Sequence, residues 1–345
     1  MAPTKNGSIV FREPPTDYPI PGKTVVYEQG AIDLDQVPLN GGILVKTLWI
    51  SIDPYLRGRL REAHVKSYLP AFTLGEVIFG LGVVVVLRSE KRELKAGDYL
   101  YVLDLPYQHY AVLSSNHPVT PIDNQGLSLS LFLGVLGMPG KTAYYGLDAI
   151  GKPKAGETIY ISTGAGPVGA TVAQLCKAKG LKVIASAGSD EKVEYMKSIG
   201  VDVPFNYKKE KVADVLAREG PLDIYWDNVG GETLEAAIDA CSDQGARIVA
   251  CGAISSYNGT RYGVKNTDLI FAKQLTIQGM FVYSLEAQAE DPSRFFTDMI
   301  ALIQRGELKY NESIWDELES VGEAILAVQK GTNEGKVVIR VSRKD

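Results

Sequence analysis

Three glycines, Gly164, Gly166 and Gly169, follow the short β-branched and aromatic run Thr158 to Ser162 and open a stretch, Ala170 to Lys179, with helical apolar spacing. Strand, glycine turn and helix in that order give G-x-G-x-x-G the context in which it binds a dinucleotide: a tight turn, a bare backbone that a pyrophosphate can approach, and close packing of helix on strand. The phosphates would sit at the helix N-terminus, where unpaired N–H groups and the dipole favour an anion. A second apolar run, Lys182 to Ala187, follows at the distance a βαβ unit needs. Its end sets the cofactor preference. An NAD site places a carboxylate there for the ribose 2′-hydroxyl, whereas an NADP site avoids that charge and offers a cation to the 2′-phosphate. No acid stands at the strand end in Ser186-Ala187-Gly188-Ser189, and Asp190-Glu191-Lys192 follow. A cation in the first turn of a helix opposes the dipole, so Lys192 wants a reason, and a 2′-phosphate supplies one. The pattern favours NADP; the competing reading has Asp190 as the ribose ligand and Lys192 as a solvated surface residue.

Other reactive side chains are sparse. Cys176, Cys241 and Cys251 are an odd set without C-x-x-C spacing, which fits a reducing compartment better than a disulfide framework. His64, His109 and His117 have no ligand spacing with one another or with the cysteines, so no metal site is expected, and His109 reads as a hydrogen-bonded structural residue. The 345 residues carry a net charge of −5 with no basic stripe, which argues against a nucleic-acid surface and for a small-molecule partner. At 45% hydrophobic and 22% charged the composition is that of a soluble globular protein. No apolar run approaches bilayer length and Met1 to Gly7 lacks a signal-peptide core, so no membrane association and a cytoplasmic location are expected.

The elements that must hold these residues divide in two. The first ~125 residues show short apolar runs broken by Gly, Pro and Asp, the pattern of a β-rich domain. Strands are expected at Val25 to Tyr27, Gly42 to Ile50, Val77 to Leu87, Asp98 to Leu103 and Gln108 to Leu113, with Asp53-Pro54-Tyr55-Leu56-Arg57 making a turn or a helix start. Helical spacing then runs around Met138-Pro139-Gly140. From residue 156 strands and helices alternate, as in a parallel sheet covered on both faces. A helix from Asp190 to Ile199 and further strands at Val203 to Phe205, Leu222 to Trp226, Arg247 to Cys251 and Leu275 to Val282 complete six strands, a full doubly wound sheet. After a helix around Phe295 to Gln304, Gly335 to Val341 is one more strand, expected to return to the N-terminal β domain.

Seven stretches carry a resemblance to a known family: Asp53 to Gly58, Leu136 to Tyr144, Ala187 to Lys192, Phe205 to Lys208, Asp227 to Glu232, Cys251 to Asn258 and Gly335 to Val338. In these the chain resembles the zinc-independent medium-chain dehydrogenase/reductases, within them the leukotriene B4 dehydrogenase, prostaglandin reductase and alkenal double-bond reductase group. The resemblance implies an α/β fold, a six-stranded Rossmann domain over 127–307 and a GroES-like β-rich catalytic domain over 1–126 plus 308–345. It implies NADP as cofactor, with Gly166, Pro167, Val168 and Gly169 on the pyrophosphate and Lys192 and Tyr207 on the 2′-phosphate. Met138, Thr142, Gly188, Asn228 and the loop Cys251, Gly252, Ala253, Ile254 to Tyr257 would lie along the cofactor. Phe281, Val282 and Tyr283 would meet the nicotinamide through backbone groups, Asn333 would close over it, and Tyr55 and Tyr257 would face the substrate. A homodimer paired through the Gln274 to Val282 edge is implied by resemblance as well. Two departures stand out: plant members often have a tyrosine within the segment that reads Gly80-Leu81-Gly82 here, and Gly164 is usually alanine or serine, a change that glycine's permissiveness makes harmless.

The implied reaction moves a hydride from dihydronicotinamide to the β-carbon of an α,β-unsaturated aldehyde or ketone, with negative charge developing on the carbonyl oxygen. Without a metal, a neutral hydroxyl is the available donor, and a tyrosine with an ordinary pKa of about 10 is protonated at neutral pH. Tyr257 is the first choice and Tyr55 the second. Three alternatives stand beside this expectation: a zinc-free quinone oxidoreductase, an alcohol dehydrogenase, and a non-catalytic NADPH-binding sensor.

Overall fold

A computed structural model describes residues 3–342. They form two compact units, one of residues 3–133 with 312–342 and the other of 134–311. The domain limits expected from the sequence fell at 126/127 and 307/308. The first unit opens with β1 (Thr4–Lys5), β2 (Ser8–Phe11), β3 (Val25–Glu28), β4 (Ala31–Ile32) and β5 (Ile43–Ser51). A single helical turn, α1 (Leu56–Arg59), separates β5 from β6 (Phe79–Ser89), β7 (Tyr99–Pro106), β8 (Tyr110–Leu113) and β9 (Val119–Pro121). The second unit holds α2 (Met138–Gly146), β10 (Thr158–Ile161), α3 (Pro167–Ala178), β11 (Lys182–Ala187), α4 (Asp190–Ser198) and β12 (Val203–Asn206). It continues through α5 (Val212–Glu219), β13 (Ile224–Asp227), α6 (Gly231–Ala240), β14 (Arg247–Ala250), α7 (Leu269–Ala272), β15 (Thr276–Gly279), α8 (Val282–Gln288) and α9 (Arg294–Gln304). The chain then returns to the first unit as β16 (Glu312–Asp316), α10 (Val321–Lys330) and β17 (Lys336–Arg340).

The main sheet of the first unit runs β16-β17-β5-β6-β7-β9, with β8 also on β5. The C-terminal strand therefore joins the β-rich unit, as expected, antiparallel to β5 and parallel to β16. Alternate residues of β5 and β6, such as Ile43, Val45, Val84 and Val86, enter one core with Leu56, Tyr107 and Ile325. Neither β16 nor α10 was expected from the sequence.

The second unit is a doubly wound parallel sheet in the order β12-β11-β10-β13-β14-β15. Its central strands are apolar almost throughout because helices cover both faces: the Ile224-Tyr225-Trp226 run of β13 is wholly buried, as is Val183 to Ala185 of β11. The expected single strand Leu275 to Val282 is corrected. Backbone pairing ends where β14 ends, at Ala250 opposite Gly279, so the chain beyond has no ladder to extend. Phe281 instead takes up the N-cap position of α8, and Val282 and Tyr283 are helical.

Candidate active site

In the second unit the strand order reverses between β10 and β13, the place where such sheets open a crevice at the carboxyl ends of their strands. Asn228 bridges the two strand ends there: its backbone N–H donates to Ser162 Oγ at 2.9 Å and its Nδ2 to the Ser162 carbonyl at 2.7 Å. Beside them the glycine turn leads into α3, whose N-cap, Gly166, provides no side-chain bond, with Pro167 at the first helical position. The first-turn amides of Val168 and Gly169 are thereby left for an outside acceptor.

The three glycines answer to different neighbours. A Cβ built on Gly169 would lie 2.4 Å from the Thr163 carbonyl oxygen and 2.9 Å from Gly164 Cα, so the turn closes only with glycine there. One on Gly164 would lie 2.6 Å from Ala185 Cβ and 2.8 Å from Met196 Sδ; packing of the turn on β11 and α4 demands this glycine, which is more than the permissiveness expected from the sequence. A Cβ on Gly166 would meet only the Thr163 oxygen, at 3.3 Å, and its backbone (φ −74°, ψ 164°) suits any residue. Nothing in the protein's own packing demands a glycine at 166, and without a Cβ its backbone is open to close approach.

Asp227 organises the far side of the crevice. Its Oδ1 accepts hydrogen bonds from the Tyr225 hydroxyl (2.7 Å) and the amides of Val229 (2.9 Å) and Gly230 (2.7 Å). Burial pushes its carboxyl above the usual carboxylate range, and the three donors offset part of that rise. The turn they hold runs into Gly230 and Gly231, both at positive φ (69° and 60°), a backbone that glycine adopts without strain. The following loop hangs on this turn. Cys251 and Gly252 N–H groups donate to the Asp227 carbonyl (2.9 and 3.0 Å), Ile254 to that of Asn228 (3.2 Å) and Ser255 to that of Val229 (3.2 Å). Ala253 lies between them and approaches Gly230, where an added Cβ would fall 3.3 Å from its own. A short 3-10 turn, Ile254–Ser256, then delivers Tyr257. Burial raises the Tyr257 phenol above its ordinary pKa, against a smaller lowering effect of the Ala253 amide. The hydroxyl is therefore protonated at neutral pH and able to donate. Burial also pushes the Cys251 thiol up to about 12, so it is no thiolate nucleophile.

At the ends of β11 and β12, Ser189 Oγ accepts from the Lys192 amide at 3.4 Å and caps α4. Tyr207 lies over Gly188: a Cβ added there would fall 2.9 Å from the Tyr207 hydroxyl. Tyr207 nonetheless remains 48% exposed. The Asp190 carboxylate is bound to Asn206 Nδ2 at 2.9 Å and paired with Lys209. In α2, Thr142 Oγ1 donates to the Met138 carbonyl at 2.7 Å. The Phe281 carbonyl accepts from the Ser284 and Leu285 amides (3.0 and 3.2 Å), its ring meets Tyr283 edge-on at 5.6 Å, and Val282 is buried.

Tyr55 and Asn333 belong to the first unit. Tyr55 leads into α1, half-buried against the core. The preceding Asp53 is paired with Lys336 Nζ at 2.9 Å, both residues being 3% exposed, and the ammonium also donates to the Ile52 carbonyl at 2.8 Å. Gln329 Nε2 holds the Pro54 carbonyl at 3.1 Å. Asn333 Nδ2 donates to the Gly335 carbonyl at 2.9 Å. Sequence reasoning missed Ser162, Lys209, Lys336 and the acceptor role of Asp227. Asp227 left a signal as the first residue of Asp-Asn-Val-Gly-Gly, and Lys336 lay within the Gly335 to Val338 stretch.

Two family models match the chain: "Zinc-binding dehydrogenase" over 167–305 and "N-terminal domain of oxidoreductase" over 26–121. The chain is 40% identical to an NADP-dependent oxidoreductase of Cochliobolus heterostrophus over 98% of each protein. This chain belongs to the zinc-independent medium-chain dehydrogenase/reductases of the quinone and alkenal reductase type. It is also 36% identical to the NADP(+)-dependent 2-alkenal reductase of Nicotiana tabacum, over 88% of this chain and 89% of that one. The NADPH complex of CurA from Vibrio vulnificus superposes with a TM-score of 0.88 at 30% identity, covering 98% of this chain and all of the other. The protein is an NADP-dependent oxidoreductase. The uncapped α3 terminus, the open flank of Gly166 and the Tyr207 ring over Gly188 fit that cofactor. Among the described residues, no three His, Cys, Asp or Glu side chains are grouped to hold a metal ion, and no helix is long and apolar enough to cross a membrane.

Proposed function

We propose that the protein reduces the carbon–carbon double bond of α,β-unsaturated aldehydes and ketones. The observation that carries this reading is Tyr257: a half-buried hydroxyl kept protonated by its surroundings, set on a loop that four backbone hydrogen bonds fasten to the strand end at the sheet's reversal point. When bound, NADPH supplies a hydride to the substrate's β-carbon. Electrons of the C=C bond then move toward the carbonyl oxygen, and the Tyr257 hydroxyl donates a hydrogen bond to the charge that gathers there. The α-carbon takes a proton from water or from that hydroxyl. Tyr55 is the second candidate donor. Val168 and Gly169 amides hold the pyrophosphate, Lys192 and Tyr207 the 2′-phosphate. Met138, Thr142, Gly188, Asn228 and the 251–257 loop would line the cofactor, and Phe281, Val282 and Tyr283 would offer backbone groups to its nicotinamide. The exposed edge strand β15, with Ile277 at 38% exposure, supports pairing into a homodimer, and the cytoplasm is the compartment we assign.

The reading is tested by following NADPH oxidation against a 2-alkenal, an aryl enone, a quinone and a saturated aldehyde. Turnover of the alkenal and enone supports it. Turnover confined to the quinone moves the protein to quinone reduction, and turnover of the saturated aldehyde to carbonyl chemistry.

A further inference from the structure

The turn after β12 performs two tasks with consecutive residues. The Tyr207 amide donates to the Ala187 carbonyl at 3.1 Å, which fixes the turn against the end of β11 and sets the Tyr207 ring over Gly188. The Lys209 amide donates to the Asn206 carbonyl at 2.9 Å, and the Lys208 amide to Asn206 Oδ1 at 3.0 Å. This tight turn brings the Asn206 and Lys209 side chains to the same carboxylate, Asp190. Asn206 Nδ2 reaches Oδ1 at 2.9 Å, and Lys209 Nζ pairs with Oδ2.

Asp190 opens α4, two residues before Lys192 and two after Gly188. A carboxylate at that place suits a ribose 2′-hydroxyl and repels a 2′-phosphate. An enzyme that uses NADP while keeping this acid must deal with its charge. We propose that Lys209, with Asn206, is a specificity-determining residue: it neutralises Asp190 and draws it into the β12 turn, so that a 2′-phosphate can occupy the ground beside Lys192 and Tyr207. The pair lowers the Asp190 pKa, with Lys209 the larger influence and Asn206 the next, so the carboxylate stays ionised and tethered throughout the neutral range. Lys209 acts through Asp190 and has no contact of its own with the cofactor.

The inference rests on the placing of the 2′-phosphate at Lys192 and Tyr207. The test is equilibrium binding of NADPH and of NADH to the full-length protein, read by dihydronicotinamide fluorescence, for the wild type and the variants Lys192→Ala, Lys209→Ala, Asp190→Asn and Lys209→Ala/Asp190→Asn. Both groups of the pair are solvent-exposed, so Lys209→Ala should weaken NADPH by a moderate factor of about three to ten, with NADH changed less than about twofold. Adding Asp190→Asn should return NADPH affinity to within about twofold of wild type, because the uncompensated charge is gone. If the double variant stays as weak as Lys209→Ala, the lysine binds the phosphate directly and the inference is wrong. It is equally overturned if Lys209→Ala leaves NADPH binding unchanged or weakens both cofactors alike. Lys192→Ala separates this failure from failure of the underlying reading: a Lys192→Ala protein that weakens both cofactors equally removes the 2′-phosphate from this place altogether.

Discussion

Alanine at Gly166 and at Gly169 should separate cofactor binding from folding. At Gly169 the new methyl would lie 2.4 Å from the Thr163 oxygen and 2.9 Å from Gly164 Cα, both backbone atoms of the same tight turn, so relief requires the turn to open. Overpacking of this kind costs about 1–3 kcal/mol. For a unit of this size that corresponds to a fall in Tm of roughly 2–4 °C per kcal/mol. At Gly166 the methyl meets only the Thr163 oxygen at 3.3 Å, which a shift of a few tenths of an ångström relieves, and the backbone angles suit alanine. Folding should be little changed, with Tm within about 1 °C of wild type. The loss falls on the pyrophosphate, which is held away from the first-turn amides. Weakening one charge-assisted hydrogen bond costs about 1.5–3 kcal/mol, or roughly ten- to 150-fold in the NADPH Kd. The assay is differential scanning fluorimetry without ligand, followed by an NADPH titration of each folded variant. A Gly166→Ala protein that binds NADPH like the wild type, or that melts as early as Gly169→Ala, would refute the assignment of Gly166 to the ligand.

Other consequences follow from the same geometry. Tyr257→Phe should lower kcat by about 2.7–4 kcal/mol of barrier, roughly 100- to 1000-fold, with the NADPH Kd nearly unchanged; equal turnover would remove Tyr257 from the reaction. Because the Tyr257 pKa is raised, its donor form persists through the neutral range and is lost only as pH climbs past that raised value. The alkaline fall in kcat should therefore lie above about pH 10 and vanish in the phenylalanine variant. Lys192→Ala should raise the Kd for NADPH far more than that for NADH, measured by titration of each. Lys336→Met leaves Asp53 buried without its cation and should destabilise the protein by about 3–5 kcal/mol in urea denaturation, whereas a loss below about 1 kcal/mol would mean that the pair is not buried in solution.

The fold was legible where local pattern and tertiary role coincide. Lys182 to Ala187 is a strand with those same limits because it is buried on both faces and bounded by a glycine on either side, Gly180 and Gly188. The glycine turn was legible because its three positions are set within six residues. Val282 was misassigned to a strand because Ile277 to Val282 is β-prone by composition, while the end of that strand is decided by β14, some 30 residues earlier. The Asp53 and Lys336 pair joins residues 283 apart, and nothing local to either announces the other. Asp190 shows the same limit at shorter range: its sequence neighbours left it a candidate ribose ligand, and its partners Asn206 and Lys209 arrive only when β12 pairs with β11. Asp227 was read as part of a motif, but its acceptor role depends on the Tyr225 hydroxyl and two turn amides that only the folded turn aligns.

The central claim, hydride delivery to an alkene carbon, is tested most directly by following the label. The protein is incubated with NADPH carrying deuterium at the transferable C4 position and a 2-alkenal, and the product is analysed by nuclear magnetic resonance. The account predicts a saturated aldehyde with deuterium on the β-carbon and a proton from solvent on the α-carbon. Deuterium on the carbonyl carbon of an allylic alcohol would contradict it, since the hydride would then have gone to the carbonyl and the charge that Tyr257 is assigned to meet would arise from a different reaction.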